Sequence, residues 1–288
     1  MSIPNSKKIQ RKQNEESNLI IQAASGHYYN MAEYLNYGCW AFCAISVVLS
    51  FHDDQTIIAV IIIIVDLLAL LSGKLINKWT KNAGDLRKQF DDIVLFGKDE
   101  RKETEKRRLK EISLKYSNRY KKQCLVQISN TGIDEPPGKK NWYTFSKDYD
   151  SLQAQIECFE QNKWWNDKIL TYGSVIILFI HIIIVVIIVA ALLITKPPLS
   201  GIANAIGVLF FRYIERMCQY IRYWKTTVKA ETALDIVREN PSLYGVEKCQ
   251  EYVNTYRHIP VFACSWVHRF KAKKLTTLYS AVSKKENY

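Results

Sequence analysis

The chain has 288 residues, of which 48% are hydrophobic and 24% are charged, and its net charge is +12. The hydrophobic fraction excludes a disordered chain, and the low glycine and proline counts exclude a collagen-like or low-complexity one. Seven cysteines are too few for a disulfide scaffold. The apolar residues are concentrated in a few blocks, and these blocks decide the class of protein.

Two apolar blocks are long enough to cross a lipid bilayer as helices. Residues 57–76 contain only two charged residues, of which Asp66 lies at the midpoint, and residues 175–194 contain none. A hydrocarbon core about 30 Å thick needs about 20 apolar helical residues. Two shorter apolar blocks, 37–51 and 199–213, each lie a few residues from one of the long blocks. Each pair predicts a membrane hairpin.

The basic residues predict the orientation of these hairpins. Of the 40 Lys and Arg residues, 39 lie outside the two tight loops of the hairpins, and such residues collect on the cytoplasmic side. We therefore predict an all-α, multi-pass membrane protein with four transmembrane helices, a helical cytoplasmic domain and both termini in the cytoplasm. The N-terminal helix, first hairpin, central helical region, second hairpin and C-terminal helices are expected at 1–36, 37–76, 77–171, 172–213 and 214–288. The cysteines are then expected to be free thiols.

The polar regions also show helical patterns. Apolar residues at helical spacing predict amphipathic helices within 86–94, 109–120 and 152–159. We expect a short strand at 124–128 and a loop at 130–138, where glycine and proline are frequent.

Two further features organise the polar regions. Asn240-Pro241 interrupts the C-terminal helical pattern, and a second helix is predicted at Leu243 to His258. The dipeptide Gln-Asn occurs ahead of each hairpin, at 13–14 and 161–162. This repetition suggests, without establishing, an internal duplication.

Three polar residues inside the apolar blocks are candidates for a pore or another intramembrane role: Asp66, His181 and Asn204. A charge at the centre of a spanning helix costs about 2.5–3.5 kcal/mol, so Asp66 is expected to face the bundle interior or a pore. The alternative is a hydrogen bond from a neighbour such as Asn204 that only fixes packing. For His181 we favour a neutral packed histidine.

Small residues recur at four-residue spacing in the fourth block, at Gly201, Ala203, Ala205 and Gly207. Such spacing lets helices approach closely, and we favour helix packing over a pore-lining face.

Nothing in the sequence predicts an enzyme. It contains no P-loop, dinucleotide, zinc-protease or hydrolase motif, and we predict no catalytic, cofactor-binding or metal residues. Cys39 and Cys43 are interpreted as packing residues of an apolar helix. His258, Cys264 and His268 lack a fourth ligand for zinc.

The excess of basic residues indicates anionic partners. Beside a membrane, anionic lipid headgroups are the favoured interpretation. A negatively charged nucleotide messenger is the sharper alternative. Residues suited to it by stacking or by charge are Tyr223, Trp224, Tyr252, Tyr256 and Arg257. We expect no DNA or RNA partner.

The polar segments carry the most specific motifs of the sequence. They are residues 9–37, 86–97, 141–145, 152–170 and 246–262, and within them Asn141-Trp142-Tyr143 and Gln161-Asn162…Trp165. In these segments the chain resembles the SMODS-associating four-TM effectors, which are encoded beside bacterial cyclic-oligonucleotide synthases in antiphage defence.

The resemblance implies a pore-forming effector of the bacterial inner membrane. Such a protein would assemble into homo-oligomers and permeabilise the membrane on a nucleotide-type signal, with a cyclic oligonucleotide as its ligand. Two alternatives stay open at this point: a small regulated ion channel, and a membrane scaffold unrelated to defence. Paired hairpins and Asp66 suit these equally well.

Overall fold

The computed structural model describes residues 3–50, 56–195, 199–262 and 265–285. These residues form nine helices, and the only β-pairing among them is an isolated bridge between Thr131 and Lys140. The helices are α1 (Ser6–Gln13), α2 (Glu16–Leu49), α3 (Thr56–Val94), α4 (Glu103–Arg119), α5 (Lys121–Ser129), α6 (Ser151–Thr195), α7 (Leu199–Glu239), α8 (Leu243–Arg257) and α9 (Ser265–Lys285). The all-helical class predicted from the sequence is confirmed.

Three helices are long and apolar enough to cross a membrane: Glu16–Leu49, Thr56–Val94 and Ser151–Ala190. Their apolar parts expose large side chains, such as Ile57 at 75% and Ile63 at 67%. Contiguous apolar surface of this kind is suited to lipid rather than water. The predicted fourth block opens α7, but most side chains of 199–208 lie outside the described residues. The four-span arrangement therefore stays a prediction.

The four long helices α2, α3, α6 and α7 continue past their apolar blocks. At 45 residues, α6 is about 68 Å long, more than twice the roughly 30 Å of a hydrocarbon core. We call the head the packed region formed by the polar ends of these four helices, by the five shorter helices and by residues 130–150. The proposed domain boundaries near 76, 171 and 213 fall inside unbroken helices.

The apolar core of the head forms where the sequence predicts amphipathic faces. Leu86, Phe90 and Val94 of α3 are fully buried, as are Leu109 of α4 and Ile156 of α6. One helical face from each of three elements thus meets in one cluster, which accounts for the docking of α4 and α6 on α3.

The predicted strand at 124–128 is wrong, because these residues lie in the helix α5. The amide N–H of Cys124 donates to the Tyr120 carbonyl at 2.8 Å, and that of Asn130 donates to the Val126 carbonyl at 3.0 Å. A lone strand would leave such groups unpaired, since no neighbouring strand exists among the described residues. Helical bonds within the segment satisfy them.

Two other local predictions are confirmed. Residues 130–138 form a loop, and α7 ends at Glu239, just before Pro241. The next helix, α8, begins at Leu243 as expected, and the Ser242 hydroxyl caps it by accepting from the amide of Gly245 at 3.2 Å.

Helix α8 approaches α3 closely at Gly84. A Cβ at this position would lie 2.9 Å from the imidazole of His258, so only glycine admits this packing. The imidazole Nε2 lies 2.9 Å from a carboxylate oxygen of Asp85, whose other oxygen accepts from Arg108 at 2.6 Å. The hydrogen bond to Asp85 raises the pKa of His258 despite partial burial.

The carboxylate of Asp91 is the ionic centre of the head. Asp91 is fully buried, and its oxygens accept from Arg257, from Gln250 at 3.1 Å and from the Tyr143 hydroxyl at 3.2 Å. The Nε of Arg87 lies 3.9 Å from it. Because one carboxylate is shared by α3, α8 and the segment after the 130–138 loop, it fixes their relative positions.

We expect Asp91→Ala to destabilise the chain by about 3–5 kcal/mol, because it leaves the buried guanidinium of Arg257 without its counter-ion. The matched control is Asp148→Ala, which removes an exposed carboxylate paired with Lys7 at 2.7 Å and should cost less than about 1 kcal/mol. Chemical denaturation of both variants in detergent measures the difference. Equal losses of unfolding free energy in the two variants would show that the Asp91 ion pair contributes no more than a surface ion pair.

Candidate functional site

Two Gln-Asn pairs hold one loop segment, residues 141–144, from opposite sides. On the α1 side, Gln13 exchanges two hydrogen bonds with the backbone of Tyr143, at 2.8 and 2.7 Å. Asn14 accepts from the amide of Asn141 at 2.9 Å and donates to its side chain at 2.7 Å. Asn141 has a φ of 54°, in the left-handed region that asparagine tolerates better than most residues.

On the α6 side, the second pair repeats this arrangement. Gln161 donates to the carbonyl of Trp142 at 2.5 Å and accepts from the amide of Thr144 at 3.2 Å. Asn162 donates to the Tyr143 hydroxyl at 3.0 Å and accepts from the indole N–H of Trp142 at 3.5 Å. The two dipeptides therefore fix the position and orientation of Trp142.

A cavity of about 300 Å³ lies beside this segment, at the point where all four long helices meet. Its wall includes Gln22 of α2, Arg87 of α3, Trp165 of α6, Tyr223 of α7 and His268 of α9. The volume is at the lower end of the range for small-molecule sites. A ligand in this cavity would contact every helix that carries an apolar block.

Two cations line the cavity without a close counter-ion. The one ion pair of Arg87 among the described residues is the 3.9 Å contact with Asp91, and no described residue accepts a hydrogen bond from its guanidinium. The Nζ of Lys139 lies 4.9 Å from the centroid of the Trp142 ring and forms no ion pair within the described part of the chain. The guanidinium of Arg87 lies 5.0 Å from the same ring. The indole thus contacts two cations, of which Lys139 forms no ion pair among the described residues and Arg87 forms only the long contact with Asp91.

Burial in the cavity wall favours the uncharged forms of the basic side chains Lys139 and His268. Burial and the charge of Arg87 lower the pKa of Lys139 to about 8. Burial and the charge of Lys139 lower the pKa of His268 to about 3, so this imidazole is neutral at physiological pH. The positive charge of the empty cavity therefore comes from Arg87 and Lys139, since Arg257 is paired with Asp91.

Gln22 is a buried amide without a partner. Its exposed fraction is 1%, and neither the nitrogen nor the oxygen of its side chain forms a hydrogen bond with any described residue. An unsatisfied buried polar group costs about 1–3 kcal/mol. The chain carries this cost in the wall of the cavity, where a ligand could supply both missing bonds.

The floor of the cavity connects to the apolar blocks. Glu33 of α2 accepts two hydrogen bonds from the amide of Ser265, at 2.8 and 2.9 Å, and so places its negative charge at the N-terminus of α9. Arg216 of α7 donates to the carbonyl of Pro260 at 2.9 Å and also to the side chain of Asn36. The segment between α8 and α9 is thereby tied to α2 and α7 just where their apolar blocks begin.

A second, more open groove of about 610 Å³ is a weaker candidate. Its lysines are paired, Lys88 with Asp92 at 2.6 Å and Lys98 with Glu100 at 2.8 Å. The lining contains four carboxylates, Asp92, Glu100, Glu247 and Glu251, against three Lys and Arg cations, so an anion is less favoured in this groove than in the cavity.

Comparison with known families decides the class of the protein. Over residues 7–200, the chain matches the SMODS-associating 4TM effector domain. The chain belongs to this family. No curated protein and no solved structure matches it. The family makes the chain a membrane effector associated with SMODS cyclic-oligonucleotide signalling, and its matched region includes Gln22, Arg87 and the segment 141–144.

The structure brings together three of the five residues that the sequence offered for a nucleotide. Tyr223, Tyr256 and Arg257 line the cavity, and the rings of the two tyrosines meet edge to face at 5.5 Å. Trp224 is 66% exposed and, like Tyr252, is not part of the wall.

Sequence reasoning missed Arg87, Lys139 and Gln22. A signal was available for their neighbours, because Trp142 and Trp165 belong to the two motifs that are most specific for the family. The two indoles stack with their ring centroids 6.3 Å apart.

The predicted intramembrane residues are only partly described. Asp66 is half-buried, and its Oδ1 has no hydrogen-bond partner among the described residues. The side chains of His181 and Asn204 lie outside those residues, so an Asp66–Asn204 contact stays untested.

The same limit applies to three of the four small residues, Gly201, Ala203 and Ala205. At Gly207 a Cβ would meet no described atom within 4 Å. The described part of the chain contains no group of three or more His, Cys, Asp or Glu residues that could hold a metal ion.

We expect Lys139→Met to stabilise the empty protein at pH 7 by about 1 kcal/mol, or about 2–4 °C in a chain of this size. Methionine keeps the packing against Trp142 but removes an ammonium that burial disfavours. The pKa of Lys139 in the folded chain is about 8, below the ordinary 10.5, so the cost is full below pH 8 and is lost as the pH rises towards 10.5.

Thermal unfolding without ligand at pH 7 and pH 10 measures this effect. The gain should shrink at pH 10. Lys140→Met alters an exposed neighbour outside the cavity and serves as the control. A lower melting temperature of Lys139→Met at pH 7 would contradict the assignment of an unpaired, unfavourable cation.

Proposed function

We propose that the chain is a pore-forming effector of antiphage defence that oligomerises and permeabilises the inner membrane on a nucleotide-type signal. The observation that carries this proposal is the origin of the cavity walls, which come from all four long helices. The same helices carry the apolar blocks without a break. A change in the packing around the cavity therefore moves the helices that meet lipid.

A ligand shifts such an equilibrium only through its different affinities for the two states. The wall of the empty cavity contains Lys139, which forms no ion pair among the described residues, and the amide of Gln22, which finds no hydrogen-bond partner among them, so the empty arrangement is costly. A state in which the helices close on an anion satisfies these groups. The contact of Glu33 with Ser265 and that of Arg216 with Pro260 then carry the movement to the ends of the apolar blocks.

Assembly follows from the small number of spanning helices. A bundle of four packed helices has a filled core, so one chain encloses little room for ions. A conducting path needs several copies around an axis. A Cβ at Gly207 would meet no described atom within 4 Å, and at this small residue a helix of another copy can approach closely.

We expect the double substitution Ala203→Leu and Gly207→Leu to block this approach, and thereby to reduce oligomer formation and leakage without preventing insertion. Crosslinking and native mass spectrometry in nanodiscs measure the oligomer, and dye release from liposomes measures leakage. The control is Val208→Leu, which introduces the same residue at a neighbouring position of the helix but adds only one carbon and leaves the small residues in place. A variant that stays monomeric and still releases dye would overturn the assembly proposal.

For topology we propose that residues 1–36, 77–171 and 214–288 all lie in the cytoplasm, since these regions hold nearly all basic residues. We expect cysteines introduced at Glu100 and Ser280 to resist an impermeant thiol reagent in intact cells, and a cysteine at Lys196 to react. The background should carry Cys218→Ser, because Cys218 is exposed. Labelling at either Glu100 or Ser280 in intact cells would rule out the four-span arrangement.

Asp66 is proposed to face the pore, because it lies in an otherwise apolar block and its Oδ1 has no hydrogen-bond partner among the described residues. Rings of carboxylates favour cations, so the pore should prefer cations over anions. We expect Asp66→Leu to insert normally and to abolish this preference, as a shift of the reversal potential towards zero in a salt gradient. Asp66→Asn keeps the shape and should have the same effect. An unchanged reversal potential in both variants would confine Asp66 to packing.

A further inference from the structure

We propose that the cavity beside Trp142 binds one nucleotide unit of an anionic ligand, with Arg87 and Lys139 holding a phosphate and Gln22 bonding to the base or sugar. This assignment deepens the proposed function, on which it rests for the idea of a nucleotide signal. It adds a location and a role for each residue.

The first step is charge. Arg87 and Lys139 both lie against one indole, on which each makes a cation–π contact, at 5.0 and 4.9 Å. Lys139 forms no ion pair among the described residues, and the one ion pair of Arg87 is a 3.9 Å contact with Asp91, which is shared with Arg257. Neither cation donates a hydrogen bond to a described carboxylate, so both can form charge-assisted hydrogen bonds with a phosphate group.

The second step is the aromatic wall. Trp165 stacks on Trp142, and its ring centroid lies 5.7 Å from that of His268, which is neutral. Tyr223 and Tyr256 complete the lining. Flat aromatic rings favour a planar base over an alkyl chain, because a base stacks while it keeps its polar edge available.

The third step is the unsatisfied amide. Gln22 offers an amide NH₂ group as donor and a carbonyl oxygen as acceptor, and neither finds a partner among the described residues. A carboxamide matches the donor and acceptor pair on the edge of a base, or a ribose hydroxyl. A bare phosphate would satisfy only the donor, so Gln22 indicates that the ligand carries more than a phosphate.

The last step is size. A cavity of about 300 Å³ holds a single nucleotide unit rather than a whole cyclic oligonucleotide. The ligand would therefore insert one unit and leave the rest of its ring at the mouth of the cavity.

Calorimetric titration of the full chain in nanodiscs tests the assignment. The probes are cyclic di- and trinucleotides of adenine, guanine and uracil, together with inorganic phosphate and glycerol 3-phosphate as fragments of a nucleotide and of a lipid headgroup. We expect at least one cyclic oligonucleotide to bind, and Lys139→Met to weaken it by about tenfold or more. Gln22→Leu should weaken it too, whereas Lys140→Met should leave the affinity unchanged.

Four results would overturn the site: no cyclic oligonucleotide binding at millimolar concentration, an affinity unchanged by Lys139→Met, an affinity unchanged by Gln22→Leu, or glycerol 3-phosphate binding as tightly as the nucleotides. The last would assign the cations to a lipid headgroup. Binding that depends on Lys139 but triggers no dye release would reject the pore and leave the site intact. Dye release by a probe whose affinity does not depend on Lys139 would reject the site and leave the pore intact.

Discussion

The fold of the head depends on one buried carboxylate. Asp91 lies at the centre of the core, and the cost of removing its charge from water is offset only because Arg257, Gln250 and Tyr143 all reach it. These partners come from segments far apart in the sequence. No apolar packing could specify their positions as sharply, because an unpaired charge tolerates no alternative arrangement.

The same carboxylate sets the chemistry of the cavity. Asp91 accepts a hydrogen bond from Arg257 and leaves Arg87 at 3.9 Å, where the charges attract but no hydrogen bond forms. One negative charge is thus divided unequally between two arginines. The surplus positive charge appears on the cavity wall next to Lys139. The shortage of one negative charge therefore has two consequences. Asp91 stabilises the fold through Arg257, and the cavity beside Arg87 is costly when it is empty.

The sequence predicts the helices well and the cavity only in part. The spacing of apolar residues located the core faces of α3, α4 and α6, because a buried helical face has apolar residues at the helical period. The cavity has no such periodic pattern. Arg87 and Lys139 resemble surface cations in the sequence, and only tertiary packing places them beside Trp142, away from close carboxylates of the described residues. The short apolar run at 124–128 was mistaken for a strand because five residues cannot distinguish the two periods.

The double clamp on residues 141–144 has a consequence for biosynthesis. Gln13 bonds to Tyr143, 130 residues downstream, so this contact forms only after that segment has been synthesised. The contact of Gln161 with Trp142 requires a further stretch of chain. Such non-local closure is late by nature. A ribosome-bound chain with only its first apolar pair complete has no finished cavity, because the wall also needs residues of α6, α7 and α9. The cavity is therefore completed only when His268, near the end of the chain, has been made.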